Sequence, residues 1–331
     1  MPQVYVIIPC YNEQATIALL LQALFDQTFP RGDMEVLIAD GKSTDRTREV
    51  IELFQTDHPG FDIRLIDNIK RNIPAGLNAA LTAAIGEIII RLDAHSVPAP
   101  DYVERCVNCL EKKLGDNVGG IWEIQPGAAT FTARAIAAAA AHPLGVGDAF
   151  YRYADQPGEV DTVPFGSFFR EYLLKAGGYD ETLLSNEDYE LNTRIRMQGG
   201  KIYLDPAIHS IYFARPTLAS LAKQYFRYGF WKLRMLRRYS SSLRWRQALP
   251  PVFTVSILFL LIGGLFSPLA RILLLIELAI YFATLITASI SVGRKKHDLR
   301  FIIGIPLAIA VMHLSWGIGF LWSLIKSAVE S

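Results

Sequence analysis

Strand-like and helix-like segments alternate through the first hundred residues, and that rhythm restricts the chain more than any other feature. Val4 to Ile8 is rich in β-branched residues and closed by Pro9, Asn12 to Phe25 carries Ile17, Leu20, Leu21 and Leu24 at helical spacing, and Met34 to Ala39 again reads as strand. Thr47 to Phe54 then reads as helix, Ile63 to Asp67 as strand, Ala75 to Ala84 as helix and Glu87 to Leu92 as strand. A βαβαβαβ succession predicts an α/β fold, a doubly wound, mostly parallel, Rossmann-like sheet that binds ligands beyond the carboxyl ends of its strands. Those ends fall at Pro9-Cys10-Tyr11-Asn12-Glu13, Asp40-Gly41-Lys42-Ser43 and Asp93-Ala94-His95, three polar sequences in apolar surroundings.

The rest of the chain is different in kind. At 331 residues and 51% hydrophobic it is too long and too apolar for one small soluble domain. Residues 1–205 carry 18 basic against 29 acidic residues, a net of −11; residues 206–276 contain no acid, and nine basic residues lie between Arg215 and Arg246. Such a split implies an acidic globular body and a basic collar. Three apolar runs follow, at 252–266, 269–292 and 301–325, and they read as three transmembrane helices, with a re-entrant hairpin of the first two as the alternative. The expected organisation is a globular domain over 1–213, a basic amphipathic interfacial segment over 214–248 and a transmembrane domain over 249–331. The collar and the Arg294 to Arg300 cluster both belong on the cytosolic side, two spans apart. A multi-pass protein of the cell (inner) membrane, its globular domain facing the cytoplasm, is therefore expected.

Val4 to Pro9 reads as a strand rather than a signal peptide, lacking a basic leader and a small-residue cleavage site. Cys106-Val107-Asn108-Cys109 has the spacing of a zinc ligand pair but no second pair accompanies it, so Cys10, Cys106 and Cys109 read as ordinary residues in a reducing compartment. Nucleic acid is not an expected partner, because the body is acidic and the basic stretch adjoins apolar spans.

Four motifs in order, Ile7 to Glu13, Asp40 to Thr47, Asp93-Ala94-His95 and Glu187-Asp188, resemble those of inverting family 2 glycosyltransferases with the GT-A fold. The resemblance covers roughly residues 1–230. Within the family, Asp-Ala-His together with Gln224 to Gly229 is most similar to enzymes of succinoglycan-type exopolysaccharide assembly. It implies that Asp40 bonds the uracil or ribose of a nucleotide-sugar donor, that Pro9, Tyr11 and Glu13 pack around the base, and that Asp93 meets the diphosphate and its metal. It also implies that Asp188, with Glu187 beside it, takes the proton of the acceptor hydroxyl in a single inverting displacement.

The chemistry supports a divalent ion independently, since a nucleoside diphosphate leaves only when its charge is neutralised. Asp93 and His95 can face one cleft; His95 stands where the family more often has Asp, which favours Mn²⁺ over Mg²⁺. His209, after a strand at Lys201 to Leu204, is a third candidate ligand or else an ordinary histidine. Ser43 and Asp45 also fit as helix caps, Lys42 reaches phosphate or faces solvent, and carboxylates at 187 and 188 complement a helix dipole as readily as they do chemistry. Gln224 and Arg227 resemble the Gln-x-x-Arg-Trp motif of membrane synthases, with Tyr228 for Trp, and are candidates for acceptor or diphosphate contact; an interfacial helix on lipid headgroups is the other reading.

The resulting expectation is metal-dependent transfer of a hexose, from UDP-glucose or another UDP-hexose, to a polyprenyl-diphosphate-linked saccharide in exopolysaccharide or cell-surface glycan assembly. Membrane lipids and other polysaccharide-assembly proteins are the remaining expected partners. A processive polysaccharide synthase and a catalytically silent membrane scaffold are the alternatives. In the membrane part, Glu277 and His313 are expected to bond to each other across neighbouring spans.

Overall fold

The computed structural model describes residues 2–330, in two compact units: Met1–Glu123 with Phe150–Tyr212, and Ile124–Ala149 with Phe213–Ser331. Its strands are β1 (Val4–Cys10), β2 (Met34–Asp40), β3 (Ile63–Asp67), β4 (Ile88–Arg91), β5 (Ser96–Pro98), β6 (Asn117–Pro126), β7 (Gly158–Glu159), β8 (Ser167–Phe169) and β9 (Ile202–Ala214). Its helices are α1 (Ile17–Phe25), α2 (Thr47–Asp57), α3 (Ile73–Ala83), α4 (Tyr102–Glu111), α5 (Phe131–Ala140), α6 (Pro143–Val146), α7 (Arg170–Lys175), α8 (Glu187–Met197), α9 (Leu218–Leu236), α10 (Trp245–Gly263), α11 (Pro268–Lys295) and α12 (Phe301–Glu330).

The strands form one mixed sheet in the order β3-β2-β1-β4-β8-β6-β9-β5, with β7 beside β9. Strands β3, β2, β1 and β4 are mutually parallel, whereas β8 joins β4 and β6 antiparallel. Alternation along β1 sends Val4, Val6 and Ile8 into one apolar layer with Leu20 and Leu24 of α1, and Tyr5 and Ile7 into another with Leu77 and Leu81 of α3. Both faces of the strand are thus covered, which is why its sequence is apolar throughout. Pro9 lies within this strand and is buried, not in the loop after it. The position tolerates proline because β4 pairs only with Val4–Ile7, so the missing N–H costs no ladder bond there. Helix α1 begins at Ile17 rather than Asn12, since Asn12 takes a left-handed φ of 55° and opens a turn. Strand β9 is far longer than the Lys201 to Leu204 segment the sequence suggests, running through Pro206 and His209. Cys10, Cys106 and Cys109 are buried and unbridged.

In the second unit α10, α11 and α12 are long and apolar enough to cross a membrane. Helix α10 starts seven residues before the apolar run, with Pro250 and Pro251 absorbed within it; Thr254 Oγ1 donates back to the Pro250 carbonyl one turn earlier at 2.8 Å. Residues 124–149, which the sequence reading assigns to the globular domain, pack here: Phe131 of α5 meets Phe301 of α12 edge to face, 5.4 Å between ring centres. The basic helix α9 also packs on α12. A Cβ on Gly229 would lie 2.0 Å from the Trp316 carbonyl oxygen, and one on Gly319 2.1 Å from that of Phe226, so the two backbones meet where neither helix has a side chain. Glu277 and His313 do not bond to each other. Ser256 Oγ donates to Glu277 Oε1 at 2.5 Å, and Tyr281 Oη lies 3.0 Å from His313 Nδ1, each partner nearer in register than the one expected.

Candidate active site

The loops after β1 and β2 are stapled together. The Asn12 N–H donates to Ser43 Oγ at 2.9 Å, Thr44 N–H to Asn12 Oδ1 at 2.8 Å and Glu13 N–H to Thr47 Oγ1 at 2.8 Å. Tyr11 is half exposed, and its ring lies over Gly41, where any Cβ would come within 3.2 Å of it. Asp40 ends β2 fully buried, accepting from Ser43 N–H at 3.1 Å and from Arg48 Nε at 2.5 Å. Arg48 continues to Asp67 at the end of β3, and Lys42 pairs with the other oxygen of Asp67. Lys42 is 41% exposed, in keeping with the solvent-facing reading, and is paired there with Asp67. Asp45 precedes α2 and accepts from Thr47 N–H at 3.0 Å and Thr47 Oγ1 at 2.5 Å; burial is the largest single influence and pushes its pKa up, but these hydrogen bonds together outweigh it and hold the carboxyl below its ordinary value.

The second cluster is built around a buried arginine. Arg91 ends β4 with its side chain 3% exposed, and its Nη2 lies 2.8 Å from Asp93 Oδ1 and 3.3 Å from Glu187 Oε1 while Nη1 donates to Asp188 Oδ2 at 2.9 Å. Burial opposes the guanidinium charge, but Asp188, Asp93 and Glu187 together outweigh it and raise the pKa. Phe165, at a left-handed φ of 63°, packs its ring 5.1 Å from the same guanidinium and turns its N–H to Asp188. Gly166 follows at φ 107°, where a Cβ would strike Asn117 Oδ1, so only glycine fits.

Helix α8 presents Glu187 and Asp188 from its first turn, after Asn186 at φ 66°. One turn on, Glu190 is held by Arg194 at 2.8 Å, and Arg194 also donates to the Gly178 carbonyl at 2.7 Å, which ties the Gly177-Gly178 turn to the helix. Asp188 lies well above the ordinary carboxylate range: burial is the largest cause, Arg91 opposes it, and Glu187 and Asp93 reinforce it. Its Oδ1 finds no hydrogen-bond donor among the described residues.

His95 offers a ligand position beside this cluster. Its Nδ1 lies 3.1 Å from Glu13 Oε1, which places the proton there and turns Nε2 toward Asp93 Oδ2, 4.0 Å away. A carboxylate behind an imidazole is the usual outer support of a metal-binding histidine. With all three carboxylates ionised they exceed the one guanidinium by two negative charges, and by one when Asp188 is protonated, a deficit that a cation would offset. Asp93 and His95 are the side chains that would hold such an ion. His209 is not brought in: its Nδ1 faces the Ala207 carbonyl of its own strand at 3.2 Å, and no three His, Cys, Asp or Glu side chains group as a metal cage among the described residues.

Gln224 and Arg227 belong to the second unit, on α9, where Gln224 Nε2 donates to Tyr228 Oη at 3.0 Å, a bond available because Tyr stands where the resembling motif has Trp. The sequence reading missed Arg91, Arg48 and Asp67 as site residues. Arg91 and Asp67 are charged residues that close β4 and β3, a signal of position, whereas Arg48 lies in the first turn of α2, where nothing local marks it.

The chain is 27% identical to a dolichyl N-acetyl-α-D-glucosaminyl phosphate 3-β-D-2,3-diacetamido-2,3-dideoxy-β-D-glucuronosyltransferase of Methanococcus voltae, over 97% of each chain. It is 29% identical to the succinoglycan biosynthesis protein ExoA of Rhizobium meliloti, over 95% of this chain and 93% of that one. Its fold matches the mannosyltransferase PcManGT of Pyrobaculum calidifontis, solved with GDP-mannose and Mn²⁺, with a TM-score of 0.63 at 22% identity over 95% of this chain and 87% of that one. Residues 5–178 match the profile of glycosyl transferase family 2, and with its GT-A sheet and membrane-type helices the chain belongs to that family and is a glycosyltransferase.

Proposed function

We propose that this enzyme transfers a hexose, with inversion, from a nucleotide sugar to a polyprenyl-diphosphate-linked saccharide at the cytoplasmic face of the cell (inner) membrane, in exopolysaccharide or cell-surface glycan assembly. The observation that carries this reading is the Arg91 hub, which gathers Asp93, Glu187 and Asp188 into one partly dry cluster with negative charge in excess. Asp188 is the base. Its high pKa makes the carboxylate a stronger proton acceptor, and Arg91 holds Oδ2 while Oδ1, itself buried, has no hydrogen-bond donor among the described residues. Glu187 shares the arginine and keeps Asp188 from moving toward it. A divalent ion on Asp93 and His95 would supply Lewis-acid neutralisation of the departing diphosphate. Tyr11 and the Asp40 network face the nucleotide, and UDP-glucose or another UDP-hexose is the donor the family motifs favour.

The lipid-linked acceptor is supported by the membrane-type helices and by a full-length relative whose name specifies a dolichyl phosphate substrate. The test is a donor screen on purified protein for nucleoside diphosphate release, with Mn²⁺, Mg²⁺ or chelator, and with and without a polyprenyl-diphosphate saccharide. Release that depends on both cation and acceptor is the expected result. Equal release with chelator, or no dependence on the lipid-linked acceptor, overturns the corresponding part.

A further inference from the structure

The helices α10, α11 and α12 line a cavity of about 730 Å³, within the size range of small-molecule sites. Along α10 it extends from Leu249 to Leu260, eleven residues or about 16 Å. Its walls are almost wholly apolar, with Phe253, Leu273, Ile276 and Ile280 prominent. Two ionisable groups open onto it, Glu277 and His313, and both are already bonded within the protein, to Ser256 and to Tyr281. An occupant therefore needs to bring no hydrogen-bonding group. No lysine or arginine lines the cavity, and Glu277 would repel a phosphate, so an anionic lipid headgroup does not belong inside.

We propose that this cavity seats the isoprenoid chain of the lipid-linked acceptor, an inference that rests on the acceptor assigned under Proposed function. The windows of α10 and α11 that are most apolar are only 11% and 6% buried, so the cavity opens between helices that lipid surrounds. A chain leaving the bilayer for it gains no hydrophobic free energy, because lipid tails are equally apolar; selection must come from packing. A methyl-branched chain stiffened by double bonds fits that requirement better than a saturated tail, since it fills a broad cavity with less conformational freedom to lose. The stacked pair Phe253 and Tyr281, ring centres 4.4 Å apart and 28° from parallel, offers flat π faces to such double bonds.

The test uses the full-length protein in detergent, with lipid retention read by native mass spectrometry. The two probes both carry a phosphate head: undecaprenyl phosphate, with a methyl-branched polyene tail, and dipalmitoyl phosphatidate, with saturated ones. Wild type should retain the polyprenyl probe at about tenfold lower concentration than the acyl probe. Ile276→Trp and, from the facing helix, Leu260→Trp should each remove that preference while nucleoside diphosphate release from the donor stays unchanged; if one fails to fold, the other decides. Equal retention of both probes by wild type, or an undiminished preference in the folded tryptophan variants, overturns the inference. A preference that persists and is abolished by tryptophan, in a protein that transfers to no lipid-linked saccharide, upholds the chain seat and overturns only the acceptor assignment.

Discussion

Two arginines, each bridging carboxylates at strand ends, make a natural comparison. Arg48 joins Asp40 and Asp67 with Lys42 alongside: two acids and two bases, an arrangement neutral in itself, with Arg48 33% and Asp67 48% exposed. Arg91 joins three acids, is 3% exposed and leaves the cluster short of positive charge. The first network is wet at its Asp67 end and neutral in itself, with Asp40 buried beneath Arg48. The second is dry and incomplete, so it holds its shape and waits for charge from outside.

The largest expected effect is on transfer. Asp188→Asn should lower turnover by about 10²–10⁴-fold with donor binding retained in calorimetry, whereas Arg48→Gln should change mainly the donor KM. Near-normal turnover in Asp188→Asn would remove the base from the buried cluster and with it the contrast.

Next comes stability. Arg91→Leu strands three carboxylates and should cost about 3–5 kcal/mol in chemical denaturation, part of which a saturating divalent cation should return, because the ion binds only the folded state. A loss no greater than that of Arg48→Gln would show the hub to be no more buried in effect than the surface network.

The pH dependence should follow the same division. Because Asp188 is raised, its carboxyl is protonated in the fold over a window starting at the ordinary carboxylate range, in which the unfolded chain has already ionised; this contribution to stability therefore declines as pH rises through the window up to the folded pKa. Transfer should show an acid limb above the ordinary carboxylate range. Removing Arg91, which lowers the Asp188 pKa, should move the limb higher, and Arg48→Gln should leave it in place. A limb at ordinary carboxylate pH in wild type would contradict the assignment.

The smallest effect is on metal choice. His95→Asp should keep activity and shift the preference from Mn²⁺ toward Mg²⁺, measured as relative rates at saturating metal, and an unchanged profile in both His95→Asp and His95→Ala would take His95 out of the ligand set.

Much of the first unit was legible in the sequence because parallel strands buried on both faces leave continuous apolar runs, and the polar residues that interrupt them fall where ligands bind. The antiparallel half was not. Strand β8 has three residues, too few for any period to register, and β9 carries Pro206 and His209 in mid-strand. Arg91 escaped for another reason: an arginine at the end of an apolar run is unremarkable until Glu187 and Asp188, nearly a hundred residues later, fold back onto it. The Ala-rich stretch at 131–140 carries no compositional break, so nothing local signalled that it packs with the C-terminal helices.

The burial of all three cysteines has a practical consequence. Burial pushes the Cys106 thiol up to about 12 and that of Cys109 to about 11, and Cys10 higher still, with Asp40, Glu13 and Asp45 adding to the effect of burial. Thiolate is the species that reacts with alkylating reagents, so the native chain should react only slowly with maleimide without any residue having been replaced. A single cysteine introduced on an exposed position of α10 or α11 can then be labelled against a low background, and its accessibility from either side of a vesicle reports directly which way the helices run.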